Sequence, residues 1–377
     1  MDFFDQEYAW LLDLGKDAIL SKGEATLGSE PFQITDIVAP MSAGSPHDYY
    51  SNGDYWWPNP NIPNGLPYLN RDGESNPDNF DHHRLLLRRL RTNVANLAAA
   101  YKISGAEKYA AKAVQLLKGF FLDEKTKMNP HLLFAQAIPG ICNGRSIGII
   151  DTLHLIEVPV AIEILKSSTS LTPEVYSGLK QWFKDYLNWI STHQYGISEM
   201  KAKNNHSVCW FVQVAVFSAF VGNQKIISLC RQQYKEVILP NQMALDGSFP
   251  LELARTKPYS YSIFVLDNLI TLCFSLSIPD DNLWDFRLED GRGIRKGLEF
   301  LYPYLQDKTK WPFPKDVQHF EAWPTRMSFL LFAGIMLGEK KYLILWERLD
   351  SDSCNMEVRR NIAIRQPLLW LETLKNR

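Results

Sequence analysis

Ser207-Val208-Cys209-Trp210-Phe211-Val212-Gln213-Val214-Ala215-Val216-Phe217-Ser218-Ala219-Phe220-Val221 is apolar around almost its whole circumference, broken near its middle by Gln213. The run is too short to span a bilayer and reads as a helix buried inside a protein. The segment 328–337 has the same character. Two such helices need a shell of other elements around them.

The neighbouring sequence supplies that shell. Arg84 to Ile103 places Leu86, Leu87, Leu90, Val94, Leu97 and Ala98 on one face at the i, i+3, i+4 spacing, and Ser104-Gly105 ends it. Further helices are predicted over 107–121, 149–167, 173–192, 206–221, 224–239, 261–275, 293–304, 324–337, 340–349 and 359–374. Pro173 suits a first helical turn with Thr172 as its cap. Short Gly/Asn-containing connections make neighbouring helices antiparallel. Such a succession with almost no β-alternation can build an open solenoid or a closed ring, and no strict repeat period is present. The expectation is therefore an all-α (α/α) toroid of antiparallel helix pairs, formed by residues 1–377 as one domain.

Residues 40–81 differ in style. Tyr49-Tyr50-Ser51-Asn52-Gly53-Asp54-Tyr55-Trp56-Trp57-Pro58-Asn59-Pro60 belongs to a stretch dense in Pro, Gly, Asn, Asp and aromatics with no period. It reads as a long ordered loop, of the kind that usually carries function in a compact domain.

Composition limits the partners. The 377 residues carry 40 Lys+Arg against 42 Asp+Glu, which argues against nucleic acid or an anionic membrane. At 46% hydrophobic residues the chain can bury a large core. Its 11 Trp and 16 Tyr exceed core needs, and such rings also stack on carbohydrate-like ligands. The five cysteines, at 142, 209, 230, 273 and 354, are scattered, with no zinc module or disulfide framework. The start, Met1-Asp2-Phe3-Phe4-Asp5, lacks a secretory pattern, so the protein is cytoplasmic or its signal is absent from this sequence.

Three polar stretches interrupt the helices. In Lys203-Asn204-Asn205-His206-Ser207, either asparagine can cap the apolar helix, and His206 falls in its first turn. The positive helix end there is expected to keep the imidazole neutral. The second stretch runs from Asp246 to Ser262 and includes Glu252, Arg255, Tyr259 and Tyr261. Arg255 suits a carboxylate, and Tyr261 can exchange a proton if a cation lowers its pKa; alternatively Glu252 and Arg255 simply pair. The third, Cys142-Asn143-Gly144-Arg145-Ser146, sets Asn143 and Arg145 in a Gly-rich loop before a helix. It can hold an anion, although the phosphate-loop order is missing and an Arg145–Asp151 pair is an equal structural alternative. His82-His83 cannot converge on one ion from a helix, and Cys209 next to His206 has no activator, so no metal or cofactor is expected.

Taken in order, the Tyr/Trp/Pro loop, the Asn-Gly-Arg loop, Asn-Asn-His-Ser and Glu-Leu-x-Arg-Thr…Tyr-Ser-Tyr resemble the alginate-lyase-like superfamily of polysaccharide lyases, over about His47 to Tyr342. The resemblance implies an (α/α) toroid and puts the catalytic set on Asn205, His206, Arg255 and Tyr261, with Tyr259 as the alternative tyrosine. It implies an acidic polysaccharide partner such as alginate, polymannuronate or glucuronan. Tyr55, Trp57, Asn143, Arg145 and Tyr259 would contact substrate, with 40–81 as a cleft wall or lid. Asn205 and Arg255 would neutralise the uronate carboxylate while a base takes H5 and an acid protonates O4. When H5 and O4 share a face, Tyr261 can do both; when they oppose, His206 is the base and Tyr261 the acid. A hydrolase would need two flanking carboxylates, and Asp54, Asp151 and Glu252 form no convincing pair in the sequence. A glycan-binding protein without catalysis is the remaining alternative. A polymeric substrate suggests a periplasmic or secreted location.

Overall fold

The computed structural model describes residues 3–375. Its helices are α1 (Phe3–Leu27), α2 (His82–Ser104), α3 (Glu107–Phe121), α4 (Glu157–Leu165), α5 (Pro173–Thr192), α6 (Gln194–Met200), α7 (Asn205–Val221), α8 (Gln224–Gln233), α9 (Leu239–Gln242), α10 (Pro250–Leu253), α11 (Pro258–Leu276), α12 (Ile294–Gln306), α13 (Ser328–Leu337), α14 (Lys340–Arg348), α15 (Met356–Arg360) and α16 (Pro367–Lys375). Helices α2, α4, α7, α11 and α13 pack side by side in that order. α1 then lies against both α13 and α2, with α16 beside it, closing an (α/α) toroid.

Burial separates inner from outer helices. α7, α11 and α13 are buried on nearly all faces, whereas α5, α8, α12 and α14 back onto them and α3 backs onto α2. The apolar interior runs as one cluster from Tyr8 to Leu371. α11 is long and apolar enough to cross a membrane and is longer than the apolar run at 207–221. Its position as an inner helix of the ring accounts for that composition.

Several helices depart from the expected bounds, each for a local reason. α1 was not foreseen; its buried face is sparse, with Tyr8, Leu11, Ile19, Gly23 and Thr26 inside. Met1 and Asp2, part of the stretch tested for a signal, lie outside the described residues. The predicted helix 149–167 divides into a 3-10 helix, Ser146–Ile156, and α4, because Pro159 has no N–H for the carbonyl of Leu155. The helix 224–239 ends in a π turn, Tyr234–Ile238, just before Pro240. The expected helix 359–374 breaks at 361–366. There the backbone N–H groups of Arg365 and Gln366 turn to the buried carboxylate of Glu157, and Arg91 takes the carbonyls of Ile362 and Ala363.

Segment 40–81 forms two small pairings. β1 (Tyr50–Asn52) runs parallel to β4 (Phe134–Ala137), and β2 (Trp56–Trp57) pairs antiparallel with β3 (Leu69–Asn70). The loop thus becomes a fixed strap across one end of the ring.

Candidate active site

A cleft of about 650 Å³ opens beneath the strap. Asn205, His206, Arg255, Tyr261, Tyr55 and Arg145 all line it, together with Asp72, Arg84, Arg88, Asp151, Glu199 and Arg360. Residues from separate sequence stretches converge there because inner helices α7 and α11 are neighbours and both begin at the cleft.

Asn204 is the cap of α7, its side chain accepting from the His206 N–H at 3.4 Å. That frees Asn205, the first residue of the helix. Both its backbone N–H and its side-chain amide donate to the Glu252 carboxylate, at 2.8 and 2.7 Å. Glu252 is fully buried on α10, so this pairing fixes the plane of the Asn205 amide. The anticipated Glu252–Arg255 pair does not form.

His206 departs from expectation in charge. Burial lowers its pKa, but the carboxylate of Glu199, 2.6 Å from Nδ1, outweighs burial and the net shift is upward. The helix end does not control this ring; a buried carboxylate does. With Nδ1 committed to Glu199, Nε2 is the nitrogen left for other partners.

Arg255 is held by the strap. Its Nε and Nη2 donate to the two oxygens of Asp72, at 3.1 and 2.6 Å, and Thr256 donates to Asp72 as well. Gly73 permits the approach: its φ is +80°, and a Cβ there would lie 2.3 Å from the Thr256 hydroxyl. The Arg255 guanidinium also sits 4.7 Å from the centre of the Tyr261 ring.

The Tyr261 hydroxyl is 2.6 Å from that of Tyr55. Burial pushes the Tyr261 pKa well above the ordinary phenol value, Tyr55 adds to the rise, and Arg255 opposes it without prevailing. The resting phenol is therefore protonated, and the condition of a cation lowering its pKa is not met. Arg360 of α15 donates to the Tyr55 hydroxyl at 3.0 Å and to Asp54 at 2.5 Å. This arginine carries no motif of its own in the sequence.

Arg145 lines the cleft but does not pair with Asp151. Its Nε and Nη2 donate to the backbone carbonyl and side-chain oxygen of Gln136, at 3.1 and 3.0 Å, and it lies against Trp56. Gly144 makes room, since a Cβ would fall 1.9 Å from the Leu133 carbonyl oxygen. Gln136 has a φ of +50°, an uncommon conformation for a side-chain-bearing residue, and its amide also donates to Asp151 at 3.0 Å. Asp151 instead collects Arg84, Tyr49 and Ser51.

Three anticipated contact residues lie away from the cleft. Trp57 follows Trp56 on a strand and so faces the other side, its indole donating to the Glu74 carbonyl at 3.0 Å with Arg71 over the ring. Trp56 takes the cleft position instead. Tyr259 is two residues from Tyr261 on a helix and points elsewhere; it is fully buried, donating to the Tyr304 carbonyl at 2.8 Å. Asn143 is exposed at the tip of its loop, outside the cleft lining. His83 is occupied by the Tyr50 N–H and the Ile37 carbonyl. Among the described residues no group of three or more His, Cys, Asp or Glu is placed to hold a metal, and the cysteines are unpaired.

The closed ring of helix pairs thus gathers an Asn, a His, an Arg and a Tyr at one end. A family model described as alginate lyase matches residues 33–311. The crystal structure of an alginate lyase from Bacteroides ovatus aligns with a TM-score of 0.83 and 32% identity over 97% of each chain. This chain therefore belongs to the alginate lyase family. Alginate lyase A1-III from Sphingomonas species A1 shares the fold, with a TM-score of 0.52 and 15% identity over 84% of this chain and 81% of that one. A variant of alginate lyase A1-III in complex with a tetrasaccharide gives 0.53 and 14% over 84% and 83%. No curated protein matches the chain.

Proposed function

We propose that the protein cleaves alginate or a related 4-linked polyuronate by metal-independent β-elimination, leaving a 4,5-unsaturated uronate end. The observation that carries this reading is the convergence of Asn205, His206, Arg255 and Tyr261 on one cleft, each held by a buried or strap-borne partner. Membership of the family supports it, as does the alginate lyase activity named for the B. ovatus relative.

The difficulty of the reaction is the acidity of C5–H, since removing that proton builds negative charge onto a carboxylate already charged. The Asn205 amide and the Arg255 guanidinium supply donors where the charge grows. For Arg255 to do so it must share or exchange its Asp72 contact for the substrate carboxylate, a like-for-like swap. Tyr261, protonated at rest, is in the state needed to donate to the departing O4. Neutral His206 is the base when H5 lies opposite O4, and Glu199 stabilises the imidazolium that results.

Mannuronate and glucuronate have the same configuration at C4 and C5, so both place H5 and O4 on one face. Guluronate, the C5 epimer of mannuronate, places them on opposite faces. The protonated phenol of Tyr261 fits the second geometry directly, and that geometry also needs His206 unprotonated, a state that Glu199 moves to higher pH. The first requires Tyr261 to lose its proton before it can take H5. As part of the same proposal, the enzyme meets its polymer in the periplasm or outside the cell.

The test is incubation with poly-mannuronate, poly-guluronate and glucuronan while following ultraviolet absorbance of the conjugated C4=C5 bond. Growth of that absorbance is expected. New reducing ends without it would mean hydrolysis, and binding with neither would mean a glycan-binding role.

A further inference from the structure

Helix α2 presents three arginines at i, i+4 and i+7, on one face directed into the ring: Arg84, Arg88 and Arg91. The outer two are neutralised inside the protein. Arg84 contacts Asp151 at 3.2 Å and Asp54 at 3.7 Å; Arg91 contacts Glu157 at 3.6 Å and donates to two carbonyls. Arg88, between them, has no carboxylate within salt-bridge distance among the described residues, and only its Nε is engaged, by the Arg84 carbonyl at 3.3 Å. It is also one of the residues that line the cleft.

An unpaired guanidinium is expensive at such a place. Burial and the neighbouring charges of Arg84 and Arg360 push its pKa down to about 10, which reports how poorly the cation is accommodated. The same wall holds His154, whose Nδ1 is buried without a hydrogen-bond partner, and Asn361. A fold that pairs Arg84 and Arg91 with buried acids and leaves Arg88 bare has left an anion position open within the cleft.

We propose that Arg88 binds a second uronate carboxylate of the chain, distinct from the one that Asn205 and Arg255 neutralise, and so sets a requirement for an acidic sugar at the inner end of the cleft. The inference rests on the polyuronate reading above and adds a specificity residue to it. Arg88 touches neither the departing proton nor O4 in this scheme; it holds the chain in register.

The test is direct binding, measured by calorimetry in a Tyr261→Phe background so that the substrate stays intact. The probes are mannuronate and guluronate trisaccharides and their methyl esters. Adding Arg88→Met should weaken binding of the acids about tenfold to a hundredfold, the range for a lost charge-assisted hydrogen bond, and change binding of the esters little. Arg88→Lys should recover part of the loss. Because the substitution removes an uncompensated cation, the melting temperature of Arg88→Met should equal or exceed that of its parent, whereas Arg91→Met should lower it. Equal affinity of parent and Arg88→Met for the acids, equal losses for acids and esters, or a melting temperature lowered as far as by Arg91→Met would each overturn the assignment. Failure of the lyase reading shows elsewhere, as absence of the unsaturated chromophore with the otherwise wild-type protein.

Discussion

The two walls of the cleft are built by different means. One wall is the paired N-termini of α7 and α11, where Asn205 and His206 are fixed by partners at most 47 positions away, Glu252 and Glu199, while Arg255 and Tyr261 reach across to Asp72 and Tyr55 of the strap. The opposite wall is the strap with α2 and α15, joined by contacts such as Arg360 to Tyr55, 305 positions apart, and Arg84 to Asp151. The α7 side of the first wall is assembled locally, and two neighbouring inner helices place it. The second exists only when the ring is complete. Substitutions in the first should alter chemistry with little change in stability, and those in the second should alter stability and substrate affinity together.

The comparison is broken most directly at Tyr261. Tyr261→Phe should lower kcat by about a thousandfold or more while sparing binding of oligouronates. A near-normal rate on all polyuronates would remove the first wall from the chemistry. Next, Arg360→Met removes the cation shared by Asp54 and the buried Glu357, leaving each with one more distant partner, Arg84 and Lys257. A loss of about 2 kcal/mol in denaturant unfolding is expected for the charge-assisted hydrogen bonds removed, with a raised KM as Tyr55 loses the Arg360 donor. Full stability with a changed kcat alone would contradict the division between walls.

His206 sharpens the first wall. Acting as base it must be neutral, and its pKa is raised, so the rate on poly-guluronate should rise with pH through a midpoint above 6.5. Glu199→Gln removes the carboxylate that outweighs burial; the midpoint should move to lower pH, with the maximal rate down about tenfold. A pH–rate profile that does not move would reduce Glu199 to a packing residue. The smallest effect concerns the ring itself. Asp267 on α11 is fully buried, accepts from Ser328 and the Phe329 N–H at one oxygen, and has its pKa pushed up to about 7 by burial. Raised above the unfolded value, it favours the folded state fully only below about pH 4, and this contribution is lost as pH rises toward 7. Asp267→Asn should flatten that dependence and stabilise the protein at pH 8 by up to a few kcal/mol, read by thermal melts across pH. A curve parallel to wild type would show the carboxyl to be better solvated than its burial implies.

The same division decides what could be read from the sequence. Helical periodicity and the apolar runs at 207–221 and 328–337 were enough for the ring, because inner helices must be apolar all round. Asn205, His206, Arg255 and Tyr261 were legible as motifs at helix starts. Trp57 and Tyr259 were misplaced by side-chain direction alone: Trp56 and Trp57 alternate on a strand, and Tyr259 and Tyr261 diverge on a helix. Asp72 and Arg360 were missed because their roles come from pairing across the fold, and Glu199 because it sits on a separate short helix, α6, that turns back onto the start of α7. Arg84, Arg88 and Arg91 did show the helical spacing, but only the structure reveals which of them lacks an acid. The pKa direction of His206 was misjudged because the Glu199 carboxylate outweighs the helix end, and the condition set for Tyr261 fails because burial and Tyr55 outweigh the nearby cation.

The closure of the ring by α1 carries a consequence for how the protein is made. α1 packs against α2 and also against α13 and α16, and the Tyr8 hydroxyl donates to Glu372 at 2.5 Å, across 364 positions. Within the ring α1 is made well before α13 and α16, so its inner face is fully covered only once they have followed. Until then the apolar seam beside α13 is open to other chains. Assembly should proceed as an arc of helix pairs that grows in chain order and locks when α13 and α16 meet α1, and the strap wall of the cleft would come into register only at that final step.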